Sequence, residues 1–363
     1  MIHIFIGTKA QFIKMAPIVQ ELSRRGIDFN FIDAGQHAAL TGDLIRQFGV
    51  REPDVVFRRD RSNINTLSEA LAWLAKHFYH ILFKPHWIFE RIFRNQKGIC
   101  LIHGDTITTL VSLFYAKRCG IAVAHVEAGL RSFDVFDPFP EEIIRRIAMF
   151  ASDVLFAPTD VASRNLDKMG YREKTINVGA NTGLDAVLYA AKQARNEQRP
   201  SEPYALMTIH RVETLYSRSR LAKVVEIIQR SARDQKVVFV LHQPTRKQLE
   251  RFGFLPMISG CKNVILLPLL PYLEFMGLLT GAEYVMTDGG SIQEECYYLN
   301  KPCMVLRSRT ERMEGLGENA CLVEFENAQI EKFFETLQLL KRRDDSKPIR
   351  PSSTLVDHLL PWA

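Results

Sequence analysis

Four short stretches carry side chains of the kinds that move protons or hold anions. In Thr287-Asp288-Gly289-Gly290-Ser291-Ile292-Gln293-Glu294-Glu295, an apolar run ends in a glycine turn that opens a helical pattern. Backbone N–H groups at such a helix start, with the positive end of the peptide dipoles, suit a diphosphate. Glu295, about one turn on, is placed to accept hydrogen bonds from ribose hydroxyls; an ordinary glycine turn with a helix cap is the alternative. The second stretch is His125-Val126-Glu127-Ala128-Gly129-Leu130-Arg131, followed by Pro138-Phe139-Pro140-Glu141-Glu142 and Arg145. Glu127 and Glu141, separated by a proline-shaped loop, can face one cavity and divide acid and base duties. Arg131 and Arg145 are suited to hold an anion or to pair with a carboxylate. A helix-capping Glu with a surface ion pair is the other reading. His103-Gly104-Asp105-Thr106 reads the same two ways, with Asp105 as a cap or as a catalytic group. In Thr208-Ile209-His210-Arg211-Val212-Glu213 the His-Arg pair can approach a phosphate or a substrate proton. His242, before Gln243-Pro244, has the same character, and a structural histidine is the alternative for both.

These residues follow apolar, β-rich runs that alternate with helical patterns. Ile2 to Ile6, Asp28 to Asp33, Gly98 to His103 and Ala122 to Glu127 read as strands in the first half. Helices are expected from about Phe12 to Arg25, over Leu40 to Phe48, and from Asp105 to Cys119. The pattern restarts with strands at Tyr204 to Ile209, Val237 to His242, Asn263 to Leu267, Tyr284 to Thr287 and Cys303 to Leu306. Strands this apolar, separated by helices, mark parallel sheets covered on both faces. The expectation is therefore two doubly wound α/β domains, with a connector near Val178 to Asp185. The first is drawn at 1–180, with the tail 345–363 packed back on it, and the second at 181–344. Ligands of such sheets bind outside the carboxyl ends of the strands. Lys9, His103, Asp105, Glu127, His210, Arg211 and Asp288 to Ser291 all fall there, which points to a cleft between the domains. No GxGxxG or GxxxxGK[ST] follows the first strand, so neither a dinucleotide nor a P-loop site is supported.

Composition narrows the partners. The 363 residues suggest about two domains, and 47% apolar with 24% charged is an ordinary globular mix. A net charge of +6 suits an anionic ligand but not a nucleic-acid coat. The six Cys form no CxxC pair, which argues against a zinc ribbon or a disulfide framework and favours a reducing cytoplasm. The start, MIHIFIGTKAQ, lacks the basic region and cleavage site of a signal peptide. Leu71 to Phe93 (LAWLAKHFYHILFKPHWIFERIF) is unusually aromatic and basic. Lys76, Lys84 and Pro85 interrupt it, so it lacks the roughly 20 apolar residues of a membrane span. A helix pair covering the first domain is favoured over a membrane-surface helix or a partner-binding patch.

The motifs together resemble the non-hydrolysing UDP-N-acetylglucosamine 2-epimerase family, among the GT-B-like epimerases. The resemblance rests on GTKAQFIKMAPIV near the start, HGDT at 103 to 106, HVEAGLRS at 125 to 132, PFPEEIIRR at 138 to 146 and GANTGLD at 179 to 185. It continues through IHRVET at 209 to 214, TDGGSIQEE at 287 to 295 and RTERMEGLGENA at 309 to 320, in order over nearly the whole chain. It implies UDP held mainly by the second domain, with Gly289, Gly290 and Ser291 at the diphosphate, Glu295 at the ribose and Phe275 near the uracil. It places His210 and Arg211 at the pyrophosphate and sugar, and Lys9 and Lys14 reaching across from the first domain. Asp105, Glu127 and Glu141 match the family's catalytic carboxylates, with His210 assisting. Arg131, Arg145, Arg211 and Arg312 then join Lys9 and Lys14 around one diphosphate. The implied reaction removes the C2 proton while UDP leaves C1, gives a 2-acetamidoglucal, and adds UDP back, with no nicotinamide or metal. A homodimer and a role in surface polysaccharide synthesis are implied in the same way.

The chain departs from the family in several places. Gly7-Thr8-Lys9-Ala10-Gln11 stands for the usual GTRPE, which replaces a bidentate guanidinium by a point charge. DGGS stands for DSGG, which moves the hydroxyl along the turn. The stretch GLGENA differs from the commonest form, and the aromatic segment is longer than usual. Three rival readings follow. One is a hydrolysing relative that releases N-acetylmannosamine and UDP; another is a GT-B glycosyltransferase with a lipid-linked acceptor. The third is a nucleotide-sugar sensor, for which three carboxylates around an anion have no use.

Overall fold

The computed structural model describes residues 1–35, 38–57, 67–134, 139–194, 198–310, 312–340 and 349–363. Two compact units emerge, Met1–Ala186 with Lys347–Ala363 as unit 1, and Val187–Ser346 as unit 2.

Unit 1 is built on strands β1 (Ile2–Ile6), β2 (Phe29–Asp33), β3 (Val55–Val56), β4 (Ile99–His103), β5 (Ala122–Val126), β6 (Val154–Ala157) and β7 (Thr175–Asn177). They pair in parallel in the order β3-β2-β1-β4-β5-β6-β7, with Ile2 of β1 opposite Phe29 on one side and Ile99 on the other. Every residue of β1, β2 and β4 is buried, as expected of a sheet with helices on both faces. Those helices are α1 (Lys9–Arg24), α2 (Ala38–Phe48), α3 (Leu67–Phe83), α4 (Pro85–Arg91), α5 (Ile107–Arg118), α6 (Glu141–Ala151) and α7 (Asp160–Lys168). A further helix, α8 (Gly183–Gln193), runs through the division between the units.

Unit 2 repeats the plan with β8 (Tyr204–Thr208), β9 (Lys236–Leu241), β10 (Val264–Pro268), β11 (Tyr284–Thr287), β12 (Cys303–Val305) and β13 (Ala320–Leu322). Their order is β10-β9-β8-β11-β12-β13. Helices α9 (Val212–Leu215), α10 (Arg218–Asp234), α11 (Gln243–Arg251), α12 (Leu255–Ser259), α13 (Tyr272–Gly281), α14 (Gly290–Tyr298) and α15 (Asn327–Thr336) flank it. The last helix, α16 (Pro351–Leu359), returns to unit 1. There Arg25 Nη1 donates to Asp357 at 2.5 Å, and the Ser352 N–H donates to the Asp185 carboxylate at 2.8 Å.

Some elements differ from the sequence expectation. Helix α1 starts at Lys9 rather than Phe12 because Thr8 caps it: the Thr8 hydroxyl accepts from the Gln11 N–H, and Gln11 Oε1 accepts from the Thr8 N–H. Strands β3, β6, β7 and β13 were not expected; each spans only two to four residues, too few to show a period. The aromatic segment forms a helix pair, with Pro85 at the first turn of α4. Trp73, Ile88, Ile92 and Phe93 join the core beneath. Phe78 and Phe83 are 59% and 66% exposed on the outer side of α3. Among the described residues no helix is long and apolar enough to cross a membrane.

Candidate active site

Each sheet reverses its strand order once, between β1 and β4 in unit 1 and between β8 and β11 in unit 2. Loops leaving the carboxyl ends of those strands diverge there, and the opening between them is where open α/β sheets bind ligands.

In unit 1 the chain leaves β5 through Glu127, whose φ of +68° puts a residue with a side chain in the left-handed region. That conformation costs on the order of 1–2 kcal/mol, so the surroundings must hold it. Glu127 Oε1 accepts from Lys14 Nζ and from Asn181 Nδ2, each at 2.5 Å, and His103 Nε2 lies 3.6 Å from Oε2. The Glu127 and Lys14 side chains are only 7% and 9% exposed. A buried carboxylate without partners would be strongly unfavourable, and the ammonium and amide offset that cost. Two residues on, Gly129 has φ +88° and lies so close to α7 that a Cβ would stand 2.4 Å from the Ala162 carbonyl oxygen. Only glycine fits there.

Asp105 is held by one guanidinium and by the turn it sits in. Arg145 donates to its carboxylate through Nη2 and to Glu142 Oε2 through Nη1 at 2.8 Å. Glu142, with none of its surface exposed, also accepts from Arg131 Nε and from the Ser132 N–H. The turn before Asp105 is held by His125, whose Nε2 lies 2.8 Å from the Gly104 carbonyl. A carbonyl only accepts, so Nε2 carries the proton. Burial lowers the His125 pKa to about 4 and keeps the ring neutral. Gln11 links the loops after β1 and β4: Oε1 accepts from the Gly7 N–H at 3.0 Å, while Nε2 donates to the His103 carbonyl and the Thr106 hydroxyl, each at 2.9 Å. Glu141 opens α6, and its Oε2 is buried without a hydrogen-bond donor among the described residues. Lys9, the first residue of α1, is half-buried.

In unit 2 a fully buried Asp288 joins the ends of β8 and β11, accepting the His210 and Arg211 N–H groups at 3.0 Å each. Its Oδ1 also stands 3.6 Å from His210 Nδ1. The His210 ring stacks on His242 with centroids 5.1 Å apart and planes 21° from parallel, and burial lowers its pKa below the usual histidine value. The Gly289 N–H donates to the Thr287 hydroxyl at 3.0 Å, so that donor, expected from sequence to be open, is taken within the chain. Gly290 then begins α14, with Ser291 exposed in its first turn. Glu295 is buried and accepts from the Tyr272 hydroxyl at 3.2 Å, and Phe275 lies buried one turn along α13. Gln293 Nε2 donates to the Arg312 and Glu314 carbonyls at 3.1 and 2.9 Å, and Arg312 Nη1 lies 3.4 Å from Glu294. Arg211 reaches Glu213 at 3.3 Å.

The sequence grouping is thus redrawn. Lys14, Arg131 and Arg145, grouped from sequence around a diphosphate, are engaged by carboxylates of unit 1, and Arg211 and Arg312 by Glu213 and Glu294 of unit 2. Gln11, His125, Glu142 and Asn181 were missed as site residues, although each lies inside a motif; their signal is contact, which spacing does not carry. The PFPEE motif begins at Pro138, which lies outside the described residues. Among the described residues no group of three His, Cys, Asp or Glu side chains is arranged for a metal.

Two parallel α/β units, each with its polar residues gathered where the strand order reverses, define the GT-B-like class of two-domain enzymes. The family model described as UDP-N-acetylglucosamine 2-epimerase matches residues 20–353. The UDP-N-acetylglucosamine 2-epimerase of Methanocaldococcus jannaschii is 31% identical over 360 residues, covering 96% of this chain and 94% of that protein. The crystal structure of the Methanocaldococcus jannaschii enzyme in complex with UDP-GlcNAc and UDP superposes with a TM-score of 0.80 at 30% identity, covering 100% of this chain and 99% of that one. The Neisseria meningitidis UDP-GlcNAc 2-epimerase bound to UDP-GlcNAc gives 0.81 at 26% identity, covering 99% of each. The chain belongs to the UDP-N-acetylglucosamine 2-epimerase family and is an isomerase.

Proposed function

We propose that the chain interconverts UDP-N-acetylglucosamine and UDP-N-acetylmannosamine, or a related UDP-HexNAc. A base removes the C2 proton as UDP leaves C1 in an anti elimination. The 2-acetamidoglucal then takes UDP back, and a proton is delivered to the other face of C2. Asp105, Glu127 and Glu141 are the proton-transfer groups of unit 1, with His210 assisting proton transfer. The turn at Gly289, Gly290 and Ser291, with His210, Arg211, His242, Phe275, Glu295 and Arg312, serves the nucleotide in unit 2, and Lys9 serves the diphosphate. The observation that carries this reading is the Glu127 carboxylate, held in a strained conformation by Lys14 and Asn181 at the end of β5. A C2 proton is weakly acidic, so its removal needs a base fixed before the substrate arrives.

Incubation with UDP-GlcNAc in D2O, followed by NMR at C2, tests it. Deuterium at C2 with formation of UDP-ManNAc is expected. Free ManNAc with UDP would indicate hydrolysis instead, and absence of exchange would overturn the proposal. The chain works in the cytoplasm as a homodimer, a reading supported by six free thiols, the family resemblance and the exposed Phe78, Leu82 and Phe83 of α3. A monomeric mass by light scattering would overturn the dimer, and vesicle binding by the intact protein would assign the exposed face of α3 to a membrane.

A further inference from the structure

Glu141 and Glu142 stand side by side at the start of α6 and have different surroundings. Glu141 is among the groups assigned to proton transfer, whereas Glu142 has none of its surface exposed. A buried carboxylate needs donors, and those of Glu142 come from its own helix and from the loop after β5. Oε1 accepts from Arg131 Nε, and Oε2 accepts from the Ser132 N–H at 3.3 Å. Oε2 also accepts from Arg145 Nη1 at 2.8 Å, about one turn along α6. The other terminal nitrogen of Arg145, Nη2, donates to Asp105 Oδ2 on the turn after β4. Side-chain exposure rises along this line, from 0% at Glu142 to 5% at Arg145 and 27% at Asp105. The member open to solvent is the one assigned to the reaction, and the two behind it are packed.

We infer that Glu142 is the positioning residue of Asp105, acting through Arg145. An arginine tied only to Asp105 could swing with it, because its side chain has several rotatable bonds. With Nη1 bound to Glu142, the planar fork fixes where Nη2 lies, and so where the Asp105 carboxylate is held. Glu142 is itself located by Arg131 and Ser132, so its reach, more than its charge, sets the place of Asp105. The role rests on the epimerase reading, which gives Asp105 its part in proton transfer; the placement of the Asp105 carboxylate stands apart from it.

Two variants separate reach from charge. Glu142→Asp keeps the charge but draws the carboxylate back by one methylene, so it cannot hold Arg131, Ser132 and Arg145 where they stand. At saturating UDP-GlcNAc, deuterium exchange at C2 should fall by about ten- to a hundredfold. UDP affinity should stay within about threefold, because the nucleotide is assigned to unit 2. Glu142→Gln keeps the reach: its amide oxygen can still accept from Arg145 and Ser132, and the loss falls on Arg131. Its exchange should fall by less than about fivefold, although it gives up the buried charge that Glu142→Asp retains. A role in charge balance alone predicts the reverse order, and a role in stability alone predicts no loss from folded enzyme at saturating substrate. The crystal structure of Glu142→Asp should show the Asp105 carboxylate displaced by about 1 Å. A carboxylate left in place, or a larger loss in Glu142→Gln than in Glu142→Asp, would overturn the inference. Should Glu142→Asp fail to fold, Arg145→Lys makes the same cut from the other side. An ammonium can meet Glu142 or Asp105 but cannot span both, and the same split between exchange and UDP affinity is expected; its absence would overturn the inference. If the parent protein shows no exchange, the epimerase reading fails and the displacement of Asp105 alone decides the positioning claim.

Discussion

At the strand-order reversal of unit 1, Lys14, Glu127, Asn181, Asp105, Arg145, Glu142 and Arg131 form closed sets of hydrogen bonds and ion pairs. At the matching place in unit 2 stand a glycine turn, two stacked imidazoles, the Asp288 carboxylate spent on backbone N–H groups, Glu295 on the Tyr272 hydroxyl and the Arg312–Glu294 pair. Unit 1 therefore stores charge in fixed positions, whereas unit 2 offers backbone and ring edges. The proposed division of work, proton transfer in unit 1 and nucleotide binding in unit 2, fits the difference. Moving a proton from carbon needs a carboxylate whose position is settled in advance, and a diphosphate needs donors more than it needs cations.

The sharpest way to break this division is at Glu127. Glu127→Gln keeps the shape and removes the charge, and C2 exchange should fall on the order of a thousandfold. UDP affinity, measured by calorimetry, should stay within about tenfold, because the nucleotide is assigned to unit 2. Loss of UDP binding together with exchange would refute the division. Next in size is Glu142→Gln. Glu142 is wholly buried between Arg131 and Arg145, and removing its charge takes from Arg131 its carboxylate partner. Arg145 keeps Asp105, so the loss falls mainly on Arg131, and about 2 kcal/mol is expected, read as an earlier denaturant midpoint for unit 1 with unit 2 unaffected. Equal loss in both units would show that the network is not local.

Sequence reading reached the architecture because its signals are long. Buried strands such as Ile2–Ile6 and Ile99–His103 are mostly apolar, IHIFI and ICLIH, and the polar residues after them stand where the strand order reverses. Partners were harder to read. Nothing in the spacing of Lys14 and Glu127, 113 positions apart, says that they meet; that follows from the adjacency of β1, β4 and β5. Gln11 shows the same limit. Read as the loss of a Glu, it proves to be a neutral amide that donates to a main-chain carbonyl and accepts from main-chain N–H groups, which a carboxylate cannot do.

Acid should distinguish the units next. Unit 1 buries His125 and His3, each with a pKa lowered to about 4, and His77, lowered to about 3, burial being the main cause in all three. In the unfolded chain these rings take up protons below about pH 6.5, so unfolding binds protons and stability falls as pH drops from 6.5 toward 4. By linkage, His125 alone accounts for a loss of up to about 3 kcal/mol at the low end. Hydrogen exchange should show β1, β4 and β5 opening at a higher pH than β8 and β11. Simultaneous opening would refute the assignment.

The smallest effect tests the finer claim that unit 2 works by placement. The Tyr272 hydroxyl donates to the Glu295 carboxylate at 3.2 Å within a buried pocket. Glu295 is the group assigned to the ribose, and its orientation depends on that bond. Tyr272→Phe removes the hydroxyl without opening a cavity, at a cost of about 1 kcal/mol. UDP affinity should weaken by less than about tenfold, with the C2 exchange rate at saturating substrate unchanged. A fall in that saturated rate would mean that Glu295 touches the chemistry as well as the nucleotide, and the separation of duties between the units would have to be redrawn.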